Sequence, residues 1–166
     1  MANPTKIPFL DLVTPHKELE DELLAVVKKA FSNAGFVGGP VVEEFEKEFA
    51  GFCEAKYCVG VNSGTDALRF AFMAAGIQPG DIVVTTPHTF IATTEAISQA
   101  GGQIAFVDIN EKSYTLDPEK LREYIENNCD FDAKTGKLIE RASQRQVVEV
   151  VSGVRRPGTI LAIAGD

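Results

Sequence analysis

The chain has 166 residues, 45% of them hydrophobic and 24% charged, which fits one soluble domain with room for a core. A net charge of -8 excludes a nucleic-acid partner as the default, because a phosphate backbone selects surfaces rich in Lys and Arg. No apolar run approaches the roughly 20 residues needed to cross a bilayer, and the opening residues lack a leader pattern, so no membrane contact and a cytoplasmic setting are expected. Cys53, Cys58 and Cys129 form no C-x-x-C pair and only two histidines exist, so neither a disulfide framework nor a zinc site is supported.

Charge is uneven along the chain. Residues 1–130 hold 10 Lys/Arg against 20 Asp/Glu, whereas residues 131–166 hold 6 against 4. The sign of the local charge therefore changes near residue 130.

Helical spacing of Leu19, Leu23, Val26, Val27 and Ala30 predicts a helix over about 15–33, and that of Val42, Phe45, Phe49 and Phe52 a second over about 41–53. Gly35-Phe36-Val37-Gly38-Gly39-Pro40 between them reads as a loop, with Pro40 suited to the first turn of the next helix.

Three short apolar runs follow, Tyr57–Val61, Ile82–Val84 and Ile104–Val107, separated by predicted helices over about 64–76 and 90–100. This β-α-β-α-β order, with strands that read as continuous apolar runs, predicts a parallel sheet covered on both faces. Asp117 followed by Pro118 marks the start of another helix, running to about Asn127. Asp130-x-Asp132 before Thr135-Gly136 is a poor match to a calcium loop and reads as a solvated hairpin or loop.

The most informative segment is Val59-Gly60-Val61-Asn62-Ser63-Gly64-Thr65-Asp66-Ala67-Leu68, a small polar turn that opens directly into a helix. Such a turn offers backbone N–H groups at the positive end of a helix dipole and can cradle a phosphate. The same residues also read as an ordinary capping box, Ser63 with Asp66, and the Asp66 charge in the first turn weighs against an anion. Neither a dinucleotide fingerprint nor a P-loop is present.

A second feature is Thr85-Thr86-Pro87-His88-Thr89-Phe90-Ile91-Ala92-Thr93, which in a parallel sheet leaves the same edge as the Ser63-Gly64-Thr65 turn. Phe90 there could stack on an aromatic ring held by that turn; core packing is the competing reading. His88 carries no assigned role.

The ordered series Ile7-Pro8-Phe9-Leu10-Asp11-Leu12, Gly35–Pro40, Asn62–Leu68, Ile77–Val84, Thr89–Thr93, Phe106–Ile109 and Tyr114–Pro118 resembles the DegT/DnrJ/EryC1/StrS aminotransferases over about residues 6–140. Cys129–Ile139 resembles an insertion found in some sugar-modifying members. The resemblance implies the start of a fold-type I large domain, a partial three-layer α/β/α arrangement with N-terminal helices, and pyridoxal phosphate as cofactor. By residue match Ser63, Gly64 and Thr65 would hold its phosphate and Phe90 would stack on its pyridine ring. It also implies a nucleotide-linked keto-sugar as substrate, glutamate as amino donor, and a homodimer whose active sites use both subunits.

The division expected is 1–54 for an arm and two helices, 55–128 for the start of the cofactor domain, and 129–166 for an insertion-like loop and divergent tail. The lysine that binds the cofactor covalently and the acid that pairs with the ring nitrogen have no counterpart in the sequence; Lys112, Lys120, Lys134 and Lys137 sit in no matching motif and read as solvated. From about Ala142 the resemblance fades, with a family-like helix again conceivable at Ile160–Gly165. The chain thus reads as the start of an enzyme inactive alone, the alternative being a non-catalytic module that binds a related subunit through its first helices.

Overall fold

The computed structural model describes residues 9–148. Ile7 and Pro8 of the opening motif and the Ile160–Gly165 segment lie outside the described residues. Contacts divide the chain into two compact units, one up to Glu48 and one from Phe49.

The first unit contains α1 (Val13–Glu18), α2 (Glu20–Asn33) and the start of α3 (Pro40–Phe52). Asp11 opens α1, its Oδ1 accepting the N–H groups of Val13 and Thr14 at 3.0 and 3.1 Å. The single helix expected over 15–33 is instead two. Leu19 breaks it at φ -100°, ψ 1°, outside helical geometry, while the apolar spacing runs on undisturbed. Such a spacing cannot register one residue's dihedral change. α2 buries none of its residues, and Leu23, Leu24, Val26, Val27 and Phe31 are all exposed. Phe31 meets Phe36 edge-on at 5.4 Å where the chain turns out of α2.

Among the described residues the second unit is built on five strands. α4 (Gly64–Ala74), β1 (Ile82–Thr85), α5 (Ile91–Gln99), β2 (Gln103–Phe106) and α6 (Pro118–Asn128) follow in order. β3 (Cys129–Asp132), β4 (Lys137–Glu140) and β5 (Gln146–Val148) complete the sheet, whose spatial order is β2-β1-β5-β4-β3. β1 pairs in parallel with both β2 and β5, with Val83 opposite Ile104 and Val148. β3 and β4 form an antiparallel hairpin, and β4 pairs antiparallel with β5.

Strand alternation divides the core into two layers, as expected for a sheet covered on both faces. On one face Val83 and Ile104 pack with Phe72 of α4 and Ala96 and Ile97 of α5. On the other, Ile82, Val84 and Val147 pack with Cys129 and with Leu121, Tyr124 and Ile125 of α6. Ile97 and Val83 are the most deeply buried large side chains, each worth roughly 1.5–3 kcal/mol of burial. The result is the three-layer α/β/α arrangement expected from the sequence.

One strand expectation is corrected. Tyr57–Val61 is not a strand: no ladder includes it, and Tyr57 and Val59 are exposed. A strand exists only through its neighbours, and none of the described strands pairs with this run. The segment after Ala142, expected within a divergent tail, contributes β5 to the sheet, with Val147 in the core.

Arg141 ties the hairpin to the end of α6. Its guanidinium donates to the carbonyls of Glu126, Asn127 and Cys129 at 3.2, 2.6 and 2.7 Å and to Asp130 Oδ1 at 2.8 Å. Carbonyls left over at a helix end thereby find donors.

Candidate functional site

Two glycines fix which edge of the sheet each helix faces. Gly80 (φ +92°) ends the α4–β1 connection and Gly101 (φ +88°) the α5–β2 connection, both in the left-handed region that favours glycine. The Gly80 N–H donates to the Gly101 carbonyl at 2.9 Å, and Gln103 N–H to the Asp81 carbonyl at 2.7 Å. The connections that follow α4 and α5 are therefore held together at the amino edge of β1 and β2. Both helices run back along the strands, so their N-termini face the carboxyl edge, where open parallel sheets bind ligands.

At the α4 end, Ser63 is the N-cap in extended geometry (φ -159°, ψ 160°), and its Oγ accepts the Asp66 N–H at 3.1 Å. The capping reading of this turn is therefore correct as far as Asp66 is concerned. It does not use up the turn. The N–H groups of Gly64 and Thr65 and the Thr65 hydroxyl have no protein partner among the described residues. The Asp66 carboxylate, which weighed against an anion, is answered one turn on by Arg69 at 2.9 Å. Arg69 also lies over the Phe70 ring at 4.8 Å. Sequence reading passed over Arg69, although its i,i+3 spacing from Asp66 was visible.

Phe90 caps the start of α5 and is 65% exposed, so the core-packing alternative does not hold. Its loop is pinned from within: His88 N–H donates to Thr86 Oγ1 at 2.9 Å, Thr93 N–H to the Phe90 carbonyl at 3.1 Å, and the Thr89 and Thr93 hydroxyls lie 2.9 Å apart. A neutral, polar helix opening and an exposed aromatic ring thus share one edge of the sheet.

The neighbouring β2–α6 connection is an ionic network. Lys120 Nζ donates to Asp108 Oδ2 at 3.1 Å and to the Ile109 carbonyl at 3.3 Å. Asp117 Oδ1 accepts the N–H groups of Glu119 and Lys120, and its Oδ2 accepts from Asn110. The Ile109 N–H and then Lys120 hold the Asp108 carboxyl below its ordinary range. The hydrogen bond to Asp108 chiefly holds Lys120 above its own, so it stays protonated. Lys120 is therefore a partly exposed cation paired with Asp108.

A shallow concavity of about 450 Å³ in the first unit is lined by Leu12, Val13, Leu23 and Leu24 together with His16, Lys17 and Glu20. Among the described residues no cluster of His, Cys, Asp and Glu could hold a metal, and no helix is long and apolar enough to cross a membrane.

Residues 17–133 match the model of the DegT/DnrJ/EryC1/StrS aminotransferase family. The chain belongs to that family. It is 42% identical over 70% of its length to dTDP-3-amino-3,4,6-trideoxy-alpha-D-glucose transaminase of Streptomyces venezuelae, covering 31% of that protein. It is 35% identical over 73% of its length to 3-oxo-glucose-6-phosphate:glutamate aminotransferase of Bacillus subtilis, covering 28% of it. The structure of NtdA from Bacillus subtilis with bound cofactor PMP superposes with a TM-score of 0.66 at 33% identity, over 74% of this chain and 28% of that one. The chain spans about a third of the length of the curated relatives it matches. Pyridoxal phosphate is the cofactor the family membership implies.

Proposed function

We propose that this chain forms the first part of the cofactor domain of an aminotransferase that transfers an amino group from glutamate to a nucleotide-linked keto-sugar. The observation that carries the reading is the opening of α4, where Gly64 and Thr65 present unpartnered N–H groups at a helix N-terminus. In this reading those groups and the Thr65 hydroxyl hold the cofactor phosphate, Ser63 shapes the turn, and the Phe90 ring covers one face of the pyridine ring. When bound, pyridoxal phosphate supplies a reactive carbonyl and an electron-withdrawing ring. The residues named here bind and orient; none of them moves a proton.

The same reading leaves the 166 residues inactive by themselves, because transamination needs a lysine base and an acid at the ring nitrogen, and no lysine here occupies a matching motif. A soluble, cytoplasmic homodimer is the proposed setting, with a second subunit covering apolar side chains such as Leu23, Val27 and Phe31. Those exposed side chains also favour a second reading, a non-catalytic module that docks on a related subunit.

The test is to incubate the purified chain with pyridoxal phosphate, reduce with borohydride, map any modified lysine, and assay glutamate-dependent amino transfer. Saturable binding with scattered adducts and no transfer supports the proposal. A single stoichiometric lysine adduct with transfer overturns the inactivity, and absence of saturable binding overturns the cofactor assignment.

A further inference from the structure

The loop between β2 and α6 contains a residue whose backbone runs against its side chain. Residues 108–117 fold back on themselves: Ile109 bridges Leu116, Asn110 N–H donates to the Thr115 carbonyl at 2.9 Å, and Tyr114 N–H to the Asn110 carbonyl at 2.9 Å. Tyr114 sits at φ +57° in this turn, the left-handed region where glycine or asparagine is the ordinary occupant. The turn is held in that shape by Asn110 Oδ1, which accepts the Lys112 N–H at 3.0 Å. A tyrosine at such a position is disfavoured by its backbone, and burial does not compensate, since the residue is 64% exposed.

Its ring has a partner across the gap between loops. Tyr114 and His88 lie with ring centroids 6.0 Å apart and planes at 42°. His88 belongs to the loop after β1, two residues before Phe90, and Tyr114 to the loop after β2; both loops leave the carboxyl edge of the sheet. The His88 backbone N–H donates to Thr86 Oγ1, so the bond that fixes this loop does not involve the imidazole. A strained, exposed aromatic residue at a ligand-binding edge is a feature that function explains and stability does not.

We propose that Tyr114, acting through His88, is a positioning residue that braces the Phe90 loop and closes the ring-binding side of the cofactor site. This rests on the cofactor reading above and extends it to two residues outside the phosphate turn. The ligand part concerned is the flat pyridine ring, and the phosphate end is held elsewhere.

Strain and function predict opposite signs, which makes the test discriminating. Titrations of the 166-residue chain with pyridoxal phosphate and separately with inorganic phosphate, together with urea unfolding, are compared for wild type, Tyr114→Gly, Tyr114→Phe and His88→Ala. Tyr114→Gly is expected to unfold at or above the wild-type midpoint, because the left-handed backbone is relieved, yet to bind pyridoxal phosphate about threefold to tenfold more weakly. Phosphate affinity stays unchanged, Tyr114→Phe behaves as wild type, and His88→Ala shows the same selective loss. The inference is overturned if wild type binds pyridoxal phosphate while Tyr114→Gly binds it within about twofold of wild type. Loss of stability and of both ligands together also overturns it, as that marks a merely structural role. A wild-type chain with no saturable pyridoxal phosphate binding removes the cofactor reading, and this inference with it.

Discussion

Ser63 and Asp66 share one hydrogen bond, from the Asp66 N–H to Ser63 Oγ at 3.1 Å, and that bond divides the opening of α4 into a used and an unused part. The Asp66 N–H is satisfied by the cap, whereas those of Gly64 and Thr65 remain available, so one turn serves both fold and ligand. Ser63→Ala should therefore cost about 1 kcal/mol of stability, read as a lowered urea midpoint, through the lost cap.

Gly64 can be tested without damaging the helix. It occupies the first helical position and follows Ser63 in extended geometry, the two conditions that proline accepts. Gly64→Pro should keep the wild-type circular dichroism spectrum and melting temperature while weakening phosphate binding about threefold to tenfold, since it deletes one donor. Unchanged phosphate affinity in a titration would remove Gly64 from the site.

Phe90 separates ring recognition from phosphate recognition. Because the side chain is exposed, Phe90→Ala should leave the unfolding midpoint within about 0.5 kcal/mol of wild type. Equilibrium titrations should show weaker binding of pyridoxal phosphate and unaltered binding of inorganic phosphate.

Asp117 should contribute stability with a defined pH dependence. Partial desolvation pushes its carboxyl up, but the N–H groups of Glu119 and Lys120 and the Asn110 amide outweigh it and leave it below the ordinary value of 3.8. A depressed carboxyl stabilises the fold above its unfolded value and loses that contribution as pH falls through the folded one. Asp117→Ala should thus lower the urea midpoint at pH 7, and the gap from wild type should narrow in measurements at pH 3 and below.

Tyr124 supplies the alkaline counterpart. Burial, and then the hydrogen bond from its hydroxyl to Glu140 Oε1 at 3.1 Å, push its phenol up to about 12 from an ordinary 10.0. The stabilisation is fully present below pH 10 and is lost as pH rises toward 12, because the unfolded chain ionises first. Tyr124→Phe should flatten the fall in urea midpoint over that interval.

The amino-acid order by itself carried the local grammar. The Asp117-Pro118 start of α6, the Pro40 start of α3, the apolar runs of β1 and β2 and a hairpin or loop around Thr135-Gly136 were legible because each depends on residues close in sequence. So was the opening of α4, where a cap residue and a glycine sit side by side. Leu19 and Tyr114 were not legible in this way, since neither spacing nor composition records a single residue's dihedral angles.

Tertiary structure decided the rest, because those outcomes depend on partners distant in sequence. Tyr57–Val61 has the composition of a strand and Gln146–Val148 looked like part of a divergent tail, yet only the second found a place beside β1. A strand's backbone groups are satisfied by a neighbour and not by its own residues. The same holds at the candidate site. Ser63-Gly64-Thr65 and Phe90, and their common edge in a parallel sheet, could be named from the chain, but the His88–Tyr114 contact comes from two loops that only the folded sheet brings together.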